Sequence, residues 1–321
     1  MLKWELKKIY KNKSFLAILI ILLFNVLAMT FFNPEFNYNE EKKSHYDNVK
    51  NLREISTLKY NENLDKDAKD LSKMAYDKLQ KDSGDEYKNT YFYKIFYFRI
   101  SNALINISMS IIILIIFSNI YVKERLSKID TILLSSKKKF NVLYSKLGMA
   151  LIIPTFIYLT YIVIIGIITA MQYGFPNMGY LQAYRIVENP VFLQGSITIN
   201  QYLILTVLTI IALYVEFSLF TSMCSFLSKD SISSIVSATV ILILFKVLSE
   251  AKFLAKEVLK LLNNINFVDT FRNPQIYIGT YKGSIILLNN TLDLYYLCYL
   301  ILVIFIILGI AVNIYIFKKV F

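Results

Sequence analysis

The chain has 321 residues, 56% of them hydrophobic, and a mean hydropathy of +0.49. Its apolar residues come in long unbroken runs, which excludes a soluble globular protein. The formal charge of +12 reads as the Lys/Arg excess of cytoplasmic loops rather than a nucleic-acid footprint, and Cys224 and Cys298, both inside apolar runs, imply no disulfide framework.

Residues 1–13 form a short basic amphipathic segment. Leu2, Leu6 and Ile9 share one helical face, Trp4 stands near its edge, and Lys3, Lys7, Lys8, Lys11 and Lys13 cover the rest. Such a helix lies in the interface of an anionic leaflet; the same residues also suffice as an unstructured topogenic tail. The apolar run 14–32 follows without a small-x-small cleavage site, so it reads as a first span and not as a signal core.

Residues 33–100 are polar, and over 33–99 the 13 Lys/Arg balance 13 Asp/Glu. Leu64, Ala68, Leu71, Ala75 and Leu79 recur with a helical period, and Tyr46, Val49 and Leu52 predict an earlier helix, with Asn61-Glu-Asn63 as the turn between them. This is a helical insertion, a hairpin packed over the outer mouth of the membrane domain. The aromatic run Tyr87–Arg99 matches a belt at the outer interface.

A second span is expected at about 102–122 and a third at about 143–170, kinked or broken by Pro154. Residues 171–200 are an outer loop. The fourth and fifth spans, about 201–223 and 233–249, are joined by the short turn 225–231. Residues 250–292 are outside again, with Lys252–Leu262 an amphipathic helix that dips back into the outer leaflet. The sixth span, about 294–317, ends at Lys318 and Lys319. Over the segments assigned to the inner side, Lys/Arg number 15 and Asp/Glu four, which puts both termini and the loop 123–141 in the cytoplasm.

That central loop is too polar for lipid and too amphipathic for a plain connector. Leu126, Ile129, Ile132 and Leu133 recur at helical spacing, with Glu124, Arg125, Lys128 and Asp130 on the remaining surface. Elsewhere the chemistry is sparse. His45 is the sole histidine, no Cys/His cluster exists, and no GxxxxGK[ST] loop is present to bind ATP. Two ionisable residues fall inside spans, Glu216 and Lys246. Lys246 is near enough to the outer interface to snorkel, whereas Glu216 faces protein or a water-filled cavity. Asn106 and Asn119 are read as interhelical hydrogen-bond donors before transport ligands.

The run Glu124, Thr131-Ile-Leu-Leu-Ser135, Lys137–Lys139 and Lys146 resembles the signature of ABC-2-type permeases. Asp130 stands where that family usually has Gly, and Lys137 roughly where it has Pro. The insertion between the first two spans is similar to that of permeases for bacitracin- or lantibiotic-type peptide export and immunity. The resemblance implies an all-α integral membrane protein with six transmembrane helices and both termini cytoplasmic. It divides the chain into 1–32 (interfacial helix and first span), 33–100 (extracellular insertion) and 101–321 (the remaining spans, with coupling loop 123–141 and re-entrant segment 250–292).

By the same resemblance the chain is the permease subunit of a bacterial exporter in the cytoplasmic membrane. It has no enzymatic site or cofactor of its own. ATP and Mg would be bound by a separate ATP-binding cassette subunit, and a second permease copy, identical or different, would complete the assembly. Glu124, Arg125, Leu126, Lys128, Ile129, Asp130, Ile132 and Leu133 would then form the coupling helix, and Glu216, Lys246, Asn106 and Asn119 the polar groups of a path. The apolar spans favour an amphipathic cargo (peptide, drug or lipid-like molecule) over ions. The competing reading is a non-transporting sensor or immunity module that captures a peptide through residues 33–100.

Overall fold

The computed structural model describes residues 2–10, 13–32, 37–58, 65–127, 139–251, 253–287 and 290–320. Five helices are long and apolar enough to cross a membrane: Tyr91–Leu126, Phe140–Tyr173, Ile199–Leu227, Ser231–Ser249 and Leu294–Lys319. The expected first span appears as α2 (Lys13–Phe31), whose apolar part, Phe15–Phe31, is shorter than the rest. The chain is therefore a multi-pass, all-α membrane protein.

α1 (Leu2–Tyr10) precedes α2, and α3 (Tyr38–Thr57) and α4 (Lys66–Lys81) form the insertion. The long run that follows is divided into α5 (Tyr91–Ser101), α6 (Ala103–Phe117) and α7 (Val122–Leu126). After α8 (Lys139–Tyr173) come α9 (Ile199–Leu227) and α10 (Ser231–Ser249). Three short helices, α11 (Lys256–Ile265), α12 (Phe267–Arg272) and α13 (Pro274–Tyr277), lead to a hairpin of β1 (Ser284–Leu287) and β2 (Asn290–Asp293), and α14 (Leu294–Val320) closes the chain.

α9 is the axis of the bundle, packed on α6, α8, α10 and α14. It starts from a capping box in which Thr198 and Gln201 satisfy each other's backbone N–H. In lipid, helices gain little from apolar burial, so association rests on close packing and hydrogen bonds between them. Both are visible along α9. Asn313 of α14 donates to the Leu219 carbonyl at 3.0 Å, and a Cβ on Gly309 would stand 3.2 Å from that of Leu219. Tyr214 donates to Asn106 of α6 at 2.7 Å. By contrast α10 exposes Ile232, Val236, Val240, Ile243 and Val247, one stripe at helical spacing suited to lipid.

Two expectations change in the spans. α8 runs through Pro154 without a break. The proline leaves the carbonyl four residues back, that of Ala150, without its helical donor, and the Ser218 hydroxyl of α9 supplies one at 2.5 Å. The break lies instead at Asn102, which is extended (φ −64°, ψ 138°) and caps α6 through Leu104 N–H. That break frees carbonyls at the end of α5, and Tyr161 and Tyr158 of α8 donate to those of Arg99 and Ile100 at 2.9 and 3.0 Å. The aromatic run is thus largely a helix, with Tyr93, Ile95, Tyr97 and Arg99 buried and Tyr91, Phe92, Phe96 and Phe98 half-buried.

The re-entrant element also differs in detail. Phe253 stands before α11, 82% exposed. The part that enters the bundle is α12, where Phe271 stacks on Tyr214 (5.8 Å between ring centres) and Phe267 packs on Phe217 and Phe245 (6.0 and 6.4 Å). Phe217 lies ten residues before the end of α9, about 15 Å along its axis, so α12 reaches well into the bundle.

The insertion is a helical hairpin clamped to the far-end loops, as its pattern predicts; the Asn61–Asn63 turn and Leu64 lie outside the described residues. Arg185 grips Asp82 through Nε and Nη2, each at 2.6 Å. The buried Lys78 ammonium donates to the Pro190 carbonyl at 2.9 Å. Asp67 accepts from Tyr281 and Ser284. Gly84 (φ +70°) turns the chain where a Cβ would strike Val49 at 2.6 Å, and its carbonyl meets His45 Nε2 at 3.0 Å.

Burial holds the His45 pKa below its ordinary value of 6.5; the Gly84 carbonyl and Asp82 oppose that shift, and Arg185 and Lys94 reinforce it. A depressed histidine stabilises the fold in its neutral form. That contribution is complete above pH 6.5 and is lost as pH falls below it. Cleavage within residues 38–81 by an acid-tolerant protease should accelerate several-fold between pH 7 and 5, and by less in His45→Gln, which keeps a donor to Gly84; equal acceleration in both would contradict this role.

Candidate functional site

The terminal end of the bundle, where α1 and the last turn of α14 both lie beside α7, gathers an unusual set of buried charges. Glu5 and Lys8 stand three apart on α1 and so share a face. Glu124 lies in the first turn of α7, and Lys146 in the second turn of α8. Lys8 Nζ is 2.8 Å from Glu5 Oε1 and 2.6 Å from Glu124 Oε1. Lys146 Nζ is 3.0 Å from Glu124 Oε2 and 3.6 Å from Glu5 Oε2. The four side chains therefore close a ring of alternating charge that joins three separate segments of the chain.

Three of its members are nearly shut off from solvent: Lys146 is 2% exposed, Glu124 5% and Glu5 7%. Lys146 is held further by a 2.6 Å bond to the Ile120 carbonyl and lies 4.7 Å over the Tyr121 ring. Burial works against the Lys8 ammonium, but its bonds to Glu124 and Glu5 prevail and raise its pKa above the ordinary lysine value. Beside the ring, Arg125 caps the end of α9, donating to the Ser228 carbonyl at 2.6 Å and that of Phe226 at 3.1 Å. Ser225 accepts from the Tyr121 N–H at 3.1 Å. The start of the central loop is thus bolted to α1, α8 and α9.

This corrects part of the sequence reading. Glu124 and Arg125, expected on the outer polar face, turn into the protein, because each finds there an opposite charge or a free helix-end carbonyl. The exposed residues of this turn are Lys123 and Leu126, the latter 63% exposed. Lys128, Ile129, Asp130, Ile132 and Leu133 lie outside the described residues. From sequence Lys8 belongs to the polar face of an interfacial helix or to a topogenic tail, and neither reading gives it or Glu5 a partner. Their signal was a lone carboxylate in a basic segment, one helical turn from a lysine.

The intramembrane polar residues have separate partners. Asn106 accepts the interhelical bond from Tyr214 and donates its own amide to the Asn102 carbonyl at 2.9 Å, and Asn119 donates to the Ile115 carbonyl at 2.9 Å, so neither donates between helices as expected. Lys246 pairs with Asp269 at 2.8 Å and Glu250 at 2.9 Å, and so pins the re-entrant segment to α10 in place of snorkelling. Glu216 is 8% exposed, and no ion pair or hydrogen bond reaches it among the described residues. Among the described residues no His/Cys/Asp/Glu group suited to a metal ion is found.

No family model matches the chain, and neither a curated protein nor a solved structure matches it with significance.

Removing one partner of a buried ion pair costs about 3–5 kcal/mol, while exposed pairs contribute little. Lys146→Met leaves Glu5 and Glu124 facing each other in a dry site and should be the most destabilising change. Glu124→Gln should come next and Lys8→Met, at the most solvated corner, should be mildest. Thermal unfolding of the detergent-solubilised chain reads this order; finding Lys8→Met the worst would refute the ring as described.

Proposed function

We propose that the chain is the permease subunit of an ATP-driven exporter of the ABC-2 type. It would sit in a bacterial cytoplasmic membrane with six spans and both termini inside, and would pair with a second permease copy and two ATP-binding cassette subunits. The observation that carries this reading is the charge ring. A loop that only connects two spans needs no buried ion pairs. A loop that must transmit the movement of a soluble partner needs a stiff base, and the ring ties α1, α7 and α8 into one body beneath it. ATP and Mg would stay on the partner subunit, consistent with the absence of a phosphate-binding loop in the sequence.

The placement of α1 and the last turn of α14 at one end supports an even number of crossings. Two exposed side chains, Lys123 and Leu126, lead out of the clasped turn toward residues 128–138, where the apolar stripe Ile129, Ile132 and Leu133 would meet the partner. The cargo would be amphipathic: a peptide, a drug or a lipid-like molecule. The competing reading, a peptide-sequestering module without transport, draws on the way the insertion covers the far end of the bundle.

Co-expression with an ATP-binding cassette subunit from the same genome should yield a stable complex. Leu126→Asp, at an exposed position with no internal bond to lose, should lower substrate-stimulated ATP hydrolysis at least tenfold while leaving membrane insertion intact. Purification of the chain free of any ATPase, with ligand capture that needs no nucleotide and vanishes on deletion of residues 40–85, would favour the sequestering module instead.

A further inference from the structure

At the end opposite the charge ring, the insertion and the membrane domain border a half-open cavity of about 690 Å³, within the size range of sites for drug-sized ligands, roughly 300–1,000 Å³. One wall is the α3 face carrying Glu41, Ser44 and Asn48, spaced as neighbours on a helix. The floor is aromatic and aliphatic: Phe32 at the end of α2 is stacked on Phe98 of α5, their rings 5.3 Å apart, beside the buried Ile95. The third wall is the loop 185–192, which adds Glu188 and the half-exposed Phe192.

The charges around this cavity are not equivalent. Lys94 is paired with Glu41, and Arg185 is doubly bonded to Asp82. Both cations on the wall are therefore already neutralised within the protein. Glu188 is exposed, and no ion pair or hydrogen bond reaches it among the described residues. One carboxylate is left over, above aromatic faces that themselves attract ammonium groups. The apolar floor is built where α2 ends and on α5, so it is continuous with the apolar helices of the membrane domain.

We propose that this cavity binds a cationic amphiphile, its ammonium at Glu188 and its apolar body against Phe32, Phe98 and Ile95. Among the described residues of the lining, an anionic amphiphile would find no unpaired cation and would bring its charge against Glu188. This deepens the exporter reading by naming a class of cargo, and it rests on that reading only for the step from binding to transport.

The test uses the full chain in lipid nanodiscs, without ATPase, and a dodecylamine carrying a diazirine on its alkyl chain, with the matching dodecanoic acid as control. The amine should label residues 92–98 and 185–192 saturably. Glu188→Gln, an exposed change that disturbs no internal bond, should reduce that labelling at least fivefold, and Phe98→Trp should reduce it by filling the floor. Unsaturable labelling spread over the spans, equal labelling by the acid, or labelling indifferent to both substitutions would overturn the proposal. Because no ATPase takes part, loss of the site leaves the exporter reading to its own co-purification test, and failure of that test leaves the site standing.

Discussion

The architecture at the terminal end depends on one arrangement, a closed ring in which Glu5, Lys8, Glu124 and Lys146 alternate in sign. Burying any one of these groups alone would be prohibitive, since an isolated charge moved out of water costs several kcal/mol even after relaxation. In the ring each charge is met on two sides by its opposite. The geometry allows this only when α1, α7 and the start of α8 are all in place. The ring is thus a specificity device: it defines one position for an amphipathic N-terminal helix that would otherwise slide along a membrane surface.

The same logic runs through the rest of the bundle. Wherever the backbone departs from a continuous helix inside the apolar region, a side chain from a neighbouring helix supplies the missing partner. Ser218 meets the carbonyl freed by Pro154, and Tyr158 and Tyr161 meet those freed by the break at Asn102. These bonds tie α8 to α5 and α9 at three levels. Arg99, fully buried at the end of α5, reaches Thr169 and Gln172 of α8 and completes that seam. A displacement at the charge ring would therefore reach α8 first, and through α8 the helices that border the cavity at the other end.

Much of this was legible in the sequence, and the reasons are physical. Long apolar runs marked the membrane helices within a few residues, because the bilayer sets a minimum length that few other constraints mimic. The hairpin of the insertion followed from the spacing of Val49, Leu52 and Ala75, all buried as expected. What the sequence hid was partnership at a distance. Nothing near Glu124 announces Lys8 or Glu5, more than a hundred positions away, so a buried carboxylate has the sequence surroundings of a surface one. Pro154 reads as a kink or a break in sequence because the donor that keeps its helix continuous sits on another span. The β1–β2 hairpin has no sequence signal, and the re-entrant reach falls on α12 and not on Lys252–Leu262, for a related reason. Their short runs carry no period of their own, and the partners that fix them, Asp67 of the insertion and Phe217 of α9, are also remote.

The account stands on the claim that Glu124 holds α1 against the central loop. Amide hydrogen exchange of residues 2–10 in nanodiscs, compared between the unaltered chain and Glu124→Gln, tests that claim most directly. The account predicts that α1 loses most of its protection in the variant while residues 38–81 of the insertion exchange as before. Unchanged protection of α1 would contradict it, and would return the N-terminal segment to a basic tail resting on the membrane.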